Sequence, residues 1–120
     1  MWFDREGMPI SMFEAERLLG DYDYKVVAKD YVFAGDEPVE VSTVWLGLNH
    51  CWWGGQPLIF ETMVFSADEE LVGQWRYSTE AQAVEGHQRV VAMFVWTKQQ
   101  TDRKENRDDT GSRGEPRRGD

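Results

Sequence analysis

Apolar and polar positions alternate over two runs in the middle of the chain, residues 39–48 and 58–65. Both runs are rich in Val, Thr, Trp, Ile and Phe, the residues that favour β-strands, and the segment between them is rich in glycine and polar residues. In the first run, Thr43 and Trp45 lie on one side and Val44 on the other, because side chains alternate along a strand. The pattern therefore predicts two neighbouring strands joined by a loop.

Shorter patterns predict further elements. Ser11 and Glu14 have the spacing of a capping box, and Gly20 stands where a helix can end in a left-handed cap. The predicted elements are an N-terminal hairpin or extended arm over residues 1–10, a helix over 11–20, a strand over 25–33 and a last strand over 74–77. One face of the strand over 25–33 is predicted to carry three apolar side chains, Val26, Ala28 and Val32.

The clearest element is a C-terminal helix of about 18 residues. Ser78 and Thr79 are candidates for its N-cap. Its apolar side recurs at spacings of three and four, which predicts a core-facing stripe: Ala83, Val84, His87, Val91, Phe94 and Val95. Together the patterns predict an α+β fold, an antiparallel sheet of about four strands packed by this long C-terminal helix, with a short N-terminal helix. The N-terminal helix or a partner would cover part of the second face.

The composition changes sharply after residue 96. Residues 1–96 predict a single compact domain, whereas residues 97–120 contain no hydrophobic residue and predict a disordered charged tail. Within the domain, six basic residues stand against sixteen acidic ones, a net charge of −10, while the tail is nearly neutral. That charge disfavours direct binding of DNA or RNA. It is consistent with solubility alone and with binding to the basic surface of a partner protein.

The cysteine count and the hydropathy of the chain indicate where in the cell the protein is expected. The single cysteine, Cys51, excludes an internal disulfide and indicates a reducing environment. The first residues lack the basic and apolar regions of a signal peptide, and no apolar run approaches the roughly 18 residues of a membrane span. We therefore expect a protein of the cytoplasm of a host cell.

The segment from Asn49 to Pro57 is the predicted functional surface. Its adjacent residues Trp52 and Trp53 point to opposite sides in an extended chain, so both cannot enter one core. The loop is either a hydrophobic lid over the sheet edge or a partner-binding surface with an exposed tryptophan as its anchor. In the second interpretation, the candidate partner-binding residues are Asn49, His50, Cys51, Trp52, Trp53 and Gln56.

An alternative interpretation makes the same loop a ligand site or an enzyme centre, with His50, Glu61 and His87 as its polar groups. Cys51 would be a nucleophile only with a base in reach, and the adjacent His50 points away from it in an extended segment. His87 lies in the apolar stripe, where a hydrogen-bonded core histidine is the simpler interpretation. No ligand spacing indicates a metal, and no phosphate-binding loop is present, so we expect no catalytic residue, metal or cofactor.

Four segments carry a resemblance to a family: Met1-Trp-Phe-Asp-Arg-Glu-Gly-Met-Pro-Ile, Val41-Ser-Thr-Val-Trp-Leu-Gly-Leu-Asn-His, Pro57-Leu-Ile-Phe-Glu-Thr-Met-Val-Phe and Trp75-Arg-Tyr-Ser-Thr-Glu-Ala-Gln-Ala-Val-Glu-Gly-His. They resemble small uncharacterised proteins of bacteriophage and bacterial genomes, and the resemblance spans residues 1–96. It implies no established activity. The family pattern has Asp-His where this chain has Asn49-His50, and a more glycine-rich loop in place of Cys51 to Trp53. Those departures weaken a metal or acid–base role at position 49.

These observations favour a small acidic protein-interaction module. We expect a phage-type accessory protein that binds a host or phage protein with a basic surface and modulates or inhibits it, for example a defence or nucleic-acid enzyme. The alternatives are a small-molecule-binding protein or enzyme centred on residues 49–57, and a virion assembly component. A projecting loop favours partner binding, whereas a concave pocket that His50 or Cys51 shares with His87 or Glu61 favours a ligand site.

Overall fold

The computed structural model describes residues 1–51 and 53–94. Trp52, Val95 and the predicted tail over residues 97–120 lie outside the described residues. The described elements are β1 (Trp2–Phe3), β2 (Pro9–Ile10), α1 (Met12–Leu19), α2 (Tyr22–Lys25), β3 (Val26–Ala34), β4 (Glu37–Trp45), β5 (Phe60–Phe65), β6 (Leu71–Tyr77) and α3 (residues 80–94).

Strands β3 to β6 form one antiparallel sheet in chain order, and β1 and β2 form a separate small hairpin. In the register of the central strands, Thr43 lies opposite Thr62 and Trp45 opposite Phe60. The predicted α+β fold with a four-stranded antiparallel sheet is confirmed. The last strand is longer than predicted, because β6 pairs with β5 from Leu71 onward.

The sheet has two chemically different ends. The turns at residues 35–36 and 66–70 lie at one end, which we call the acidic end, because antiparallel pairing brings the end of β5 beside the start of β4. The connection over residues 46–59 lies at the other end, which we call the loop end. There the backbone of Trp2 bridges to Leu48, so the N-terminal hairpin joins this end of the sheet.

Helix α3 packs across one face of the sheet, which we call the covered face. Thr79 caps the helix, since its Oγ1 accepts a hydrogen bond from the Gln82 amide at 3.1 Å. Two groups of side chains fill the space beneath the helix. The first group is Val32, Val39, Val41, Val64 and Val90, with Val91 and Phe94 beside it. The second group, toward the loop end, is Leu18, Trp45, Ile59, Phe60 and Ala83.

The buried side of α3 is rotated from the predicted stripe. Ala83 and His87 are buried as predicted, but Val84 is 39% exposed. Val90, which the stripe did not include, is 3% exposed. Both spacings fit a 3.6-residue period, so the apolar pattern permits either rotation and the sheet selects between them. Gly86 also faces the sheet, and a Cβ there would lie 2.3 Å from the Tyr77 hydroxyl.

Strand β3 contains a bulge, and as a result the three apolar residues predicted for one face do not all lie on it. The register shifts between Val26 and Ala28, so Val26 lies opposite Val44 whereas Ala28 lies opposite Thr43. Val26 therefore does not share the face of Ala28 and Val32. Val27 packs against the apolar group at the loop end in its place. A bulge inserts one extra residue, and the alternation of a single strand does not reveal it.

The N-terminal helix corrects three further expectations. Ser11 caps it as predicted, but the Glu14 carboxylate pairs with Arg17 instead of reaching back to the cap. Gly20 has φ −81°, so the helix ends without a left-handed cap, and α2 begins almost at once. Leu18 packs in the same apolar group as Trp45, so α1 extends the covered face. The prediction that it could cover the opposite face was wrong.

The second face of the sheet, which we call the open face, is more accessible and more polar. By the strand register its side chains include Lys29, Tyr31, Phe33, Pro38, Glu40, Ser42, Val44, Glu61, Met63, Phe65, Gln74 and Arg76. Most of them are half-buried or exposed, whereas Ser42 and Glu61 are buried. In the described part of the chain, no helix has both the length and the apolarity to cross a membrane.

Candidate functional site

The loop between β4 and β5 is closed at its base by one asparagine. The Asn49 side-chain oxygen accepts hydrogen bonds from the Cys51 amide at 2.8 Å and from the Leu58 amide at 3.0 Å. The His50 amide donates to the Leu58 carbonyl at 3.0 Å. Because these bonds join residues on both sides of the loop, its two ends are held together. Asn49 is therefore a structural residue of the loop.

His50 and Cys51 are both bonded within the loop. The Nδ1 atom of His50 lies 2.7 Å from the Leu48 carbonyl oxygen, and since a carbonyl can only accept, Nδ1–H donates. The Cys51 thiol donates to the Gly54 carbonyl at 2.6 Å. Both side chains thus hold the local turn. The two contacts run to different backbone carbonyls, those of Leu48 and Gly54.

The Trp53 side chain of this loop is 82% exposed. It stands before Gly54 and Gly55, whose φ angles of 85° and 92° lie in the region that favours glycine. Gln56, the next predicted contact residue, is also exposed. Trp53 therefore does not cover the sheet edge as a lid. The other tryptophan of the pair, Trp52, lies outside the described residues.

Further exposed apolar side chains surround the loop end. Asn49 donates its amide to the Met1 carbonyl at 3.3 Å, so the N-terminus lies beside the loop. A cavity of about 260 Å³ lies between Trp2 and α1. The large apolar side chains that this region exposes to solvent are Met1, Met8, Met12, Phe13 and Trp53. Exposed methionine and aromatic side chains are typical of surfaces that bind protein partners.

An ion pair fastens the N-terminal hairpin to α3. The Arg5 guanidinium forms a two-point contact with Glu80 at 3.1 and 2.6 Å, and also donates to the Tyr24 carbonyl at 2.8 Å. The hydrogen bond to Glu80 raises the pKa of Arg5. Burial raises the pKa of Tyr24, whose ring packs edge-on against Trp45 with centroids 5.1 Å apart. These contacts therefore join the N-terminal hairpin, α2 and α3 near the loop end.

The residues of the alternative ligand site are not brought together. Glu61 lies on the open face, where its carboxylate accepts hydrogen bonds from Gln74 and, at 3.0 Å, from Arg76. His87 projects from α3 onto the covered face, where it contacts Thr43. The sheet therefore separates Glu61 from His87. His50 is held in the loop by the Leu48 carbonyl.

A line of buried polar groups runs beneath α3. The Thr62 and Thr43 hydroxyls are 2.5 Å apart, Thr43 Oγ1 is 2.7 Å from His87 Nδ1, and His87 Nε2 is 2.7 Å from the Asp30 carboxylate. A carboxylate accepts, so Nε2–H donates to Asp30, and in the neutral imidazole Nδ1 then accepts a hydrogen bond from the Thr43 hydroxyl. Both nitrogens of His87 are satisfied and the residue is 3% exposed, which confirms the core-histidine interpretation.

The order of groups in this line, carboxylate, imidazole and hydroxyl, is the order used in nucleophilic catalysis. The Thr43 hydroxyl, however, is 0% exposed and already bonded to Thr62. No substrate can reach it without opening the core. The line therefore satisfies buried polar groups and fixes how α3 sits on the sheet.

The sequence pattern did not reveal Thr43 and Thr62 as parts of this line. Each stands at an alternating position between apolar neighbours, Thr43 between Val41 and Trp45 and Thr62 between Phe60 and Val64. Two buried hydroxyls on adjacent strands are a signal that the face holds a polar partner from another element. The identity of that partner, His87, required the tertiary structure.

Comparisons with known proteins do not add to this geometry. The chain matches no family model, no curated protein and no solved structure. Among residues 1–51 and 53–94, no three His, Cys, Asp or Glu side chains are grouped to hold a metal ion. The function must therefore be argued from the surfaces.

Proposed function

We propose that this protein is a small interaction module that binds a partner protein through its loop end, with Trp53 as the anchor. One observation carries the proposal. An aromatic side chain that is 82% exposed stands on a loop whose base is tied by Asn49. An exposed tryptophan supplies a large contact area and has only two side-chain torsions to order on binding, which is why tryptophan is enriched among the residues that dominate binding energy.

The charge of the domain supports a basic partner. Residues 1–96 carry a net charge of −10. A field of that sign accelerates association with a positively charged surface and repels nucleic acid. We propose a host or phage protein as the partner, such as a defence or nucleic-acid enzyme whose basic surface would be occupied and inhibited. The resemblance to small phage-encoded proteins is the further support for this assignment.

The experiment compares partner capture by single variants from host-cell lysate. Trp53→Ala removes the anchor, and Phe33→Ala is the matched control, because Phe33 is also an exposed aromatic residue but lies near the acidic end. Captured proteins are quantified at low and moderate salt, and all three proteins are checked for equal melting temperatures. We expect one protein to be retained by the wild type and by Phe33→Ala, and to fall at least about tenfold with Trp53→Ala.

Each outcome decides one part of the proposal. Equal capture by the wild type and Trp53→Ala would reject the loop as the binding surface. Loss of capture with salt for all proteins alike would assign binding to the acidic surface instead of the loop. Capture of the chain by itself would favour an assembly component.

A further inference from the structure

A cleft of about 240 Å³ lies at the acidic end of the sheet, far from the loop. Its floor is formed by residues 38–40 of β4, one wall by Tyr31 of β3, and the other wall by residues of the β5–β6 turn that include Ser66 and Glu69. We propose that this cleft binds an arginine side chain from a basic segment of the partner protein. The inference rests on the proposed function in one respect, that the partner is basic.

The charges in and around the cleft favour a cation. Glu40 and Glu69 contribute carboxylates from two different elements of its lining. Lys29 approaches Glu40 to 3.6 Å, so Glu40 is shared, whereas Glu69 is an exposed carboxylate of the β5–β6 turn. The two turns that frame this end, together with the first residue of β4, carry four more acidic residues, Asp36, Glu37, Asp68 and Glu70. An incoming cation is therefore attracted before it makes any contact.

The uncharged part of the lining distinguishes arginine from a small cation. Tyr31 is 68% exposed, so the face of its ring is accessible. A guanidinium stacks on an aromatic face and at the same time donates two parallel hydrogen bonds to a carboxylate. Pro38 and Ala67 supply apolar surface against which the methylene stem of arginine can lie. A metal ion would use neither the ring nor the apolar wall.

The wall that holds Glu69 is already ordered. The Ser66 amide donates to the Glu70 carbonyl at 2.9 Å, the Glu69 amide to the Ser66 carbonyl at 2.8 Å, and the Glu70 amide to the Ser66 hydroxyl at 3.2 Å. Glu69 has φ 65°, a conformation that asparagine adopts more readily than glutamate. Glu69→Asn therefore removes the charge while leaving the turn as stable as before or more so. Loss of binding in this variant cannot be ascribed to unfolding.

The test is a titration of the full chain, followed by amide NMR, with N-acetyl-arginine amide and its neutral analogue N-acetyl-citrulline amide. We expect shifts at residues 38–40 and 66–69 with arginine, and binding at least about threefold weaker with citrulline. Glu69→Asn and Tyr31→Leu should each weaken arginine binding by about threefold to tenfold. Glu85→Gln, an exposed carboxylate variant on α3, should leave it unchanged.

Several results would overturn the inference. They are equal binding of citrulline, unchanged binding by Glu69→Asn, or shifts confined to other regions. Replacing Arg113, Arg117 and Arg118 by Gln tests the chain's own arginines. If that change shifted the amide signals of the cleft residues, the cleft would be occupied by an arginine of this chain, and the assignment to a partner would be wrong. Along β4 the cleft lies about 20 to 26 Å from the loop end, so a failure here leaves the result for Trp53 standing.

Discussion

The two faces of the sheet bury polar groups in different ways. On the covered face, Thr62, Thr43 and His87 form a line of hydrogen bonds under α3 that reaches a charge only at Asp30, whose side chain is 56% exposed. On the open face, the buried Glu61 carboxylate is held by Gln74 and Arg76, whose side chain extends to solvent. Glu61 and Thr62 are adjacent on β5, so one strand serves both arrangements.

The difference follows from solvent access. A helix excludes water from the covered face, so the groups beneath it must satisfy one another completely, and hydroxyls and imidazole can do so at low desolvation cost. The open face admits water, so an ion pair can keep one partner hydrated. The open face can therefore carry charges that are available to a ligand. The cleft at the acidic end lies on this face.

The largest expected change in the free energy of unfolding comes from placing a charge on the buried side of α3. Val90→Asp places a charge in the apolar group on the covered face and should cost at least about 4 kcal/mol, enough to unfold the domain. Val84→Asp is the matched control, because Val84 lies on the exposed side, and should cost less than about 1 kcal/mol. Thermal unfolding followed by circular dichroism measures both. If Val90→Asp melted cooperatively near the wild-type temperature, Val90 would not lie on the buried side of α3.

A smaller effect is expected from the polar line itself. Thr43→Val leaves both the Thr62 hydroxyl and the His87 Nδ1 atom without their partner and should cost about 1–3 kcal/mol. Thr62→Val leaves the Thr43–His87 bond intact and should cost about 1 kcal/mol or less. The double variant should cost no more than Thr43→Val alone, so urea unfolding will give a non-additive cycle. Additive costs would mean that the two hydroxyls are independent.

On the open face, the expected effect is smaller because Arg76 is partly hydrated. Arg76→Met leaves the buried Glu61 carboxylate with Gln74 alone and should cost about 1–2 kcal/mol. Adding Glu61→Gln removes the unpaired charge and should recover most of that loss. Urea unfolding of the single and double variants measures the recovery. A double variant less stable than Arg76→Met would show that Glu61 is needed for another contact.

The smallest expected effect is the pH dependence of stability that Tyr24 causes near the loop end. Burial raises the pKa of Tyr24 above that of the unfolded chain, so its contribution to stability is complete below about pH 10. That contribution falls as the pH rises through the folded-state pKa. Tyr24→Phe should therefore lose less stability than the wild type between about pH 9 and 11. Equal slopes in denaturant unfolding across that range would exclude a shifted Tyr24.

The sequence predicted the elements better than their contacts. The alternation over β4 placed Thr43 and Trp45 on one face, and the capping residues of α1 and α3 were identified from Ser11 and Thr79. The bulge in β3 and the rotation of α3 could not be predicted, because each depends on how one element meets another. In the loop, the composition indicates Trp52 and Trp53 alike, whereas the exposure of Trp53 depends on how the chain folds around Asn49.

The sequence by itself determined the α+β elements, the acidic charge of the domain and the unusual composition of residues 49–57, since these depend on local propensity and on counting. Only the tertiary structure decided that His87 meets Thr43, that Glu61 faces the other way, and that Tyr31 and Glu69 line one cleft. The physical reason is distance along the chain. Contacts between residues separated by tens of positions depend on register and helix rotation, which a strand or helix pattern alone leaves open.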